Sequence, residues 1–162
     1  MTTATAPKPL TGPRALWVRR IAQLLVGLFL YGIGLALMVR AGIGVAPWDV
    51  LSQGISVRTG IPFGLVTNIV GALVLLLWIP IRVRIGFGTV ANVLLIGTCA
   101  QLGLNVIPQQ TAPWLQGLTF AGGLVLVAVA TGMYIGARLG PGPRSGLMTG
   151  LHRRTGRSLR LI

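Results

Sequence analysis

Hydrophobic positions run along the chain in four long blocks, residues 21–39, 63–81, 88–107 and 114–137, and none of these contains a Lys, Arg, Asp, Glu or His. The apolar residues neither alternate as in a half-buried strand nor follow the narrow stripe of a surface helix; they surround the segment. At about 1.5 Å of rise per residue, each block is long enough to cross a hydrocarbon core of about 30 Å. The pattern predicts an all-α polytopic membrane protein with about four transmembrane helices. The third block also carries Asn92, Thr98, Gln101 and Asn105. Polar groups in lipid need partners, so this stripe is expected to face other helices or a wet cavity. Asn92 and Gln101 stand nine residues apart, half a turn out of register, which argues against one tight site holding both.

Two segments interrupt the apolar pattern in the same way. After the first block comes AGIGVAPWDVLSQGISVRTG (41–60), and after the fourth comes ARLGPGPRSGLMTGLHRRTG (137–156). Glycine and proline break helix geometry in each, and a short helix is expected to follow, over about 50–57 in the first and through 146–151 in the second. Aligned at an offset of 96, the two share eight residues in twenty, including Gly44/Gly140, Pro47/Pro143, Gly54/Gly150 and Thr59/Thr155, where roughly two are expected by chance. A unit of three spans is odd, so a second copy must insert upside down. These Gly/Pro-rich broken-helix motifs therefore predict part of a 3+3 inverted repeat. The first copy occupies about 17–112 and a partial second copy about 113–162. Residue 162 aligns with 66, so the last two helices of the second copy are lacking, and a complete one would run to roughly residue 205 on this arithmetic.

Charge sharpens the picture. The chain has 14 Lys plus Arg against one acid, Asp49, for a net charge of +13, with 9% charged residues and a mean hydropathy of +0.81. Too little charge is present to wet the surface of a soluble domain, which carries about a quarter charged residues. The basic residues sit at the ends of apolar blocks rather than on one solvated face, so nucleic acid is not the expected partner; membrane lipids are. Lys8, Arg14, Arg19 and Arg20 precede the first block, and Arg138, Arg144, Arg153, Arg154, Arg157 and Arg160 follow the last. Arg82 and Arg84 lie between the second and third blocks, while 106–113 has none. Positive residues stay inside, so both termini are expected in the cytoplasm. Trp17, Trp78, Trp114 and Tyr134 fall near block ends, as an aromatic belt would have them. Residues 1–16, rich in Thr, Ala and Pro, read as a disordered tail before a transmembrane domain over 17–162.

The candidate chemistry is sparse. Cys99 lies in an apolar block and reads as packing; His152 has no carboxylate or second imidazole near it in sequence. With no Ser/His/Asp set and no carboxylate pair, no catalytic residue, metal site or cofactor is expected, and the chain does not read as an enzyme. Gly86, Gly88 and Ala91 mimic a dinucleotide fingerprint, but they open a spanning helix and no acid follows about twenty residues on. Gly132, Gly136 and Gly140 are spaced for close helix approach.

The two motifs hold what remains. In the first, Gly44 and Pro47 break the helix before Trp48 and Asp49. Asp49 reads either as an N-cap beside an interfacial Trp, or as a cation or amine ligand where irregular backbone lines a cavity. In the second, Arg144 and Ser145 open the short helix, a place suited to an anionic group. The candidate binding residues are thus Asp49, Trp48, Pro47, Gly44, Arg144, Ser145, Asn92 and Gln101.

The stretches YGIGLALMVRAGIGVAPWDVLSQGISVRTG, RIGFGTVANVLLIG and ATGMYIGARLGPGPRSGLMTGLHRRTGRSLRLI resemble the YczE-type bacterial integral membrane proteins, relatives of the YitT group. The likeness covers about residues 17–162. It implies a multi-pass protein of the bacterial inner membrane, with two further spans and no agreed biochemical activity. Together with the broken repeat, the expected function is a transporter-like protein for a small molecule or ion. The alternative is a non-transporting protein that binds lipid or a membrane partner, a homo-oligomer included, or an inactive fragment.

Overall fold

A computed structural model describes residues 13–81 and 85–155. Lys8, Arg82, Arg84, Arg157 and Arg160, with most of the tail, lie outside the described residues. Six helices follow one another: α1 (Pro13–Ala41), α2 (Pro47–Thr59), α3 (Phe63–Ile81), α4 (Phe87–Val106), α5 (Pro113–Gly136) and α6 (Pro143–Thr155). Four of them, α1, α3, α4 and α5, are long and apolar enough to cross a membrane, in keeping with the all-α polytopic class. The bounds of α3, α4 and α5 follow the apolar blocks to within a residue, whereas α1 ends two residues past its block and begins inside the expected tail. Pro13 suits a first helical turn and Arg14, Ala15 and Leu16 are good helix formers, so the helix extends outward past the apolar block.

The short helices α2 and α6 are longer than expected at both ends. Each starts at a proline, whose fixed φ and missing N–H fit the first turn of a helix, and Ala46, extended at φ −60 and ψ 147, is the N-cap of α2. Asp49 is therefore not the N-cap; it stands in the first turn. Gly42, at φ +72, ends α1 in a left-handed conformation closed to most other residues. Gly60, also at φ +72, ends α2, donating to the Ser56 carbonyl.

α1 is the central post. It crosses α5 and α4, α3 packs on α4, and both α2 and α6 lean on α3. At the α1–α5 crossing a Cβ on Gly27 would stand 3.0 Å from the Tyr134 nitrogen, and one on Gly123 would stand 2.8 Å from the Gly34 oxygen. Small residues let the backbones touch, and lipid supplies no hydrophobic force to do it for them. α3 meets α4 backbone to backbone at Gly64 and Gly97. The expected glycine stripe holds in part: Gly132 faces open space, whereas a Cβ on Gly136 would stand 2.8 Å from the Gln23 amide of α1 and one on Gly140 would stand 2.8 Å from the Thr89 hydroxyl. The α5 surface turned to α1 carries Gly123, Val127, Ala130 and Tyr134, at helical spacings of four, three and four. Nor does the aromatic belt hold throughout. Trp17 and Trp114 are exposed, but Trp78 is fully buried and Tyr134 packs edge-on against Tyr31, with centroids 6.3 Å apart.

Burial runs opposite to that of a soluble domain. Asp49, Ser52, Thr89 and Asn92 are buried, while Leu25, Phe29, Leu73, Leu77, Val125 and Val129 are exposed on the long helices. Apolar side chains facing outward and polar ones facing inward suit a chain whose solvent is acyl chains. Some polar groups of α3 and α4 pair across these two helices: Asn68 Nδ2 donates to the Leu94 carbonyl and to Thr98 Oγ1, and Gln101 accepts from the Gly64 N–H at 3.0 Å.

Candidate functional site

The first turns of α2 and α6 meet. On α2, Pro47 starts the helix, Trp48 follows, and Asp49 turns inward until only 1% of its side chain is exposed. On α6, Arg144 follows Pro143, and its Nη2 donates to Asp49 Oδ1 at 2.5 Å. The guanidinium also lies over the Trp48 ring, 5.1 Å from its centroid, a cation–π contact. The chain's one acid is thus paired with an arginine 95 residues away in sequence.

The two charges differ in how well they suit their helices. An acid in a first turn agrees with the helix dipole, whereas Arg144 opposes the dipole of α6. A residue that breaks a local rule while its surroundings hold it in place marks a functional position more often than a structural one. The surroundings are firm. The connection before α6 is pinned to the start of α4, where Gly88 N donates to the Leu139 carbonyl at 2.9 Å and Thr89 Oγ1 to the Pro141 carbonyl at 2.8 Å. Below, Trp78 Nε1 donates to the Pro143 carbonyl at 3.2 Å, and Gly146 rests directly on the indole.

A cleft opens beside the pair, lined by Tyr31, Trp48, Asn92, Tyr134, Arg144 and Ser145, with Thr67, Val93 and Ile96 completing the wall. About 60 Å3 of it admits the centre of a water molecule. Its lining combines apolar and aromatic side chains with the guanidinium, an amide and hydroxyls. Asn92 is 8% exposed; its amide makes no hydrogen bond to another described residue and opens on the cleft instead of being sealed inside the protein. Arg144, with 37% of its side chain exposed, is the charge that the cleft presents.

Asp49 lies on α2, outside the four long spans. Burial raises its carboxyl above the usual carboxylate range, and the charge and hydrogen bond of Arg144 pull it back. Its ionised form therefore depends on the arginine staying in place.

Of the residues expected from sequence, Trp48, Asn92, Arg144 and Ser145 line this cleft, and Asp49 stands behind the arginine. Pro47 only begins α2. Gly44 lies in the connecting segment with nothing within 4 Å of a Cβ there. Gln101 is elsewhere, bonded to Gly64 N and to Asn105 Oδ1, because its half-turn offset from Asn92 aims it at the start of α3. Tyr31 and Tyr134 are the residues that sequence reasoning missed. A phenol inside an apolar block was the available signal, since a buried hydroxyl needs a polar neighbour.

Two curated relatives are similar to the chain. One is an "Uncharacterized protein" of Haemophilus influenzae, 32% identical over 159 residues, covering 96% of this chain and 73% of the relative. The other is the "Uncharacterized membrane protein YczE" of Bacillus subtilis, 28% identical over 132 residues, 80% of this chain and 61% of the relative. No solved structure matches. Residues 18–162 match the model of a family of unknown function, DUF6198, and with four spanning helices around a charged cleft the chain belongs to this membrane-protein family.

Proposed function

We propose that the protein is transporter-like, holding a small molecule or ion in the cleft where α2 and α6 meet. The observation that carries this reading is the Asp49–Arg144 pair between the first turns of two interrupted helices. Broken helices whose N-termini face one another near mid-bilayer form the substrate sites of many inverted-repeat transporters.

Several contacts support the repeat. α2 and α6 begin and end at residues offset by 96, Pro47/Pro143 and Thr59/Thr155. Gly27 touches Ala130, and their repeat equivalents Gly123 and Gly34 touch one another in turn. Such a swap of partners is what a two-fold axis produces. Trp48 and Arg144 are themselves equivalents, and they stack on each other as residues beside that axis would. On this reading both termini face the cytoplasm of a bacterial inner membrane, and α2 and α6 enter from opposite sides.

Flux of a metabolite panel into proteoliposomes, with Asp49→Asn as comparator, tests the function: solute-specific uptake altered by the variant is expected, and no flux for any solute contradicts it. A second reading, a non-transporting protein that binds lipid or a partner helix, is supported by the exposed outer face of α5, where Leu118, Leu124, Val125 and Val129 stand uncovered. Absent flux from a folded protein would favour it.

A further inference from the structure

The ligand class follows from who already occupies the arginine. Among the described residues Arg144 is the only charge that the cleft presents, and it already holds a carboxylate, that of Asp49. The two formal charges cancel, but the N-terminal ends of α2 and α6 both converge there, and each adds partial positive charge, so the site favours an anion. Asn92, a residue more than nine-tenths buried whose amide opens on the cleft wall with no hydrogen bond to another described residue, is a second polar group that a ligand can engage. Trp48, Val93 and Ile96 add apolar surface to the cleft.

We propose that the cleft binds a small monocarboxylate with an apolar tail by partner exchange: the ligand's carboxylate takes the Arg144 guanidinium from Asp49, and Asp49 takes up a proton. The inference rests on the cleft being a ligand site. The balance is complete: one anion and one proton enter, the ion pair to Asp49 breaks, an ion pair to the ligand forms, and the net charge of the site is unchanged. Protonation follows because a buried carboxylate stripped of its cation is costly and neutralises instead. Among the described residues that line the cleft nothing else can replace the cation. α3, which packs on α2, has no ionisable residue; α1 brings the Tyr31 phenol to the cleft, while its Arg40 is held by the Leu104 carbonyl; α4 brings no charge, α5 only the Tyr134 phenol, and α6 only Arg144 at this end. Arg58 sits in the last turn of α2, at the far end of that helix from Asp49.

The sign of the pH dependence is fixed. Freed from Arg144, Asp49 binds protons more tightly, so protons and ligand favour each other. Between the titration points of the paired and freed carboxyl, affinity falls about tenfold per pH unit as pH rises. Below that window Asp49 is already neutral and the dependence flattens.

Calorimetry of benzoate binding to the detergent-solubilised full chain, in pairs of buffers of different ionisation enthalpy across a pH series that spans the window where affinity depends on pH, reads the proton directly. The expectation is about one proton taken up per benzoate. Asp49→Asn should bind at least as tightly with no proton uptake and no pH dependence, because the competitor is gone. Arg144→Gln should lose more than tenfold in affinity and Arg144→Lys less, with circular dichroism confirming the fold of each. Inorganic phosphate, lacking a tail, should bind at least tenfold more weakly than benzoate. Benzoate bound without a proton would overturn the exchange while leaving the ligand site standing. Phosphate binding as tightly as benzoate would overturn the carboxylate assignment. No binding to the folded protein, or undiminished binding to Arg144→Gln, would remove the anion site itself.

Discussion

The α1–α5 crossing and the meeting of α2 with α6 are built on different physics. At the crossing, Gly27, Gly34 and Gly123 bring two backbones together with almost no polar chemistry. At the α2–α6 junction, two helix ends are kept apart by side chains, and the contact is an ion pair, a cation–π stack and an open cleft. Dense small-residue packing has one good arrangement and resists change. A charge pair beside a cleft has two, because either member can find another partner. The crossing is thus suited to be the frame, and the junction to be the part that responds.

That contrast can be broken most severely at the crossing. Gly123→Leu forces a side chain into the Gly34 carbonyl and should lower stability by about 3 kcal/mol, read as thermal unfolding in detergent. Gly132→Leu on the same helix, facing open space, should change it by less than about 0.5 kcal/mol. Equal effects would mean that the crossing is not the frame.

A smaller effect is expected where frame and junction join. Trp78→Phe removes both the donor to the Pro143 carbonyl and the benzo edge of the indole on which Gly146 rests, costing about 2 kcal/mol and loosening the start of α6. Hydrogen exchange should then rise at 140–146 and stay unchanged in the middle of α1. A rise in both would show one cooperative unit instead of two.

The smallest stability effect belongs to the cleft. Asn92→Leu replaces an unpaired buried amide with an apolar side chain of similar size, and should be neutral or stabilising by about 1 kcal/mol, while benzoate affinity falls. A stability loss of several kcal/mol would mean that the amide serves the frame.

Much of the frame was legible in the sequence. Residues 63–81 predicted α3 residue for residue, and 88–107 and 114–137 were each one residue late, because unbroken apolar runs in lipid leave little choice of structure. The glycine and proline breaks in the two interrupting segments located both short helices. Their starts were misjudged: Asp49 is a common capping residue, but Pro47, two residues earlier, fixed φ and began the helix first. The pairing of Asp49 with Arg144 could not be read, since nothing local to either position encodes a partner 95 residues away. Asn92 and Gln101 were correctly separated by helical periodicity alone, while Trp78 looked interfacial because position in a block does not reveal what packs over its end.

The central claim is that the first turns of α2 and α6 meet, and cross-linking tests it most directly. In a Cys99→Ala background, Asp49→Cys with Arg144→Cys should be joined within one chain by a short bifunctional methanethiosulfonate, seen by intact mass as a single bridged adduct. Two separately modified cysteines without the bridge would contradict it.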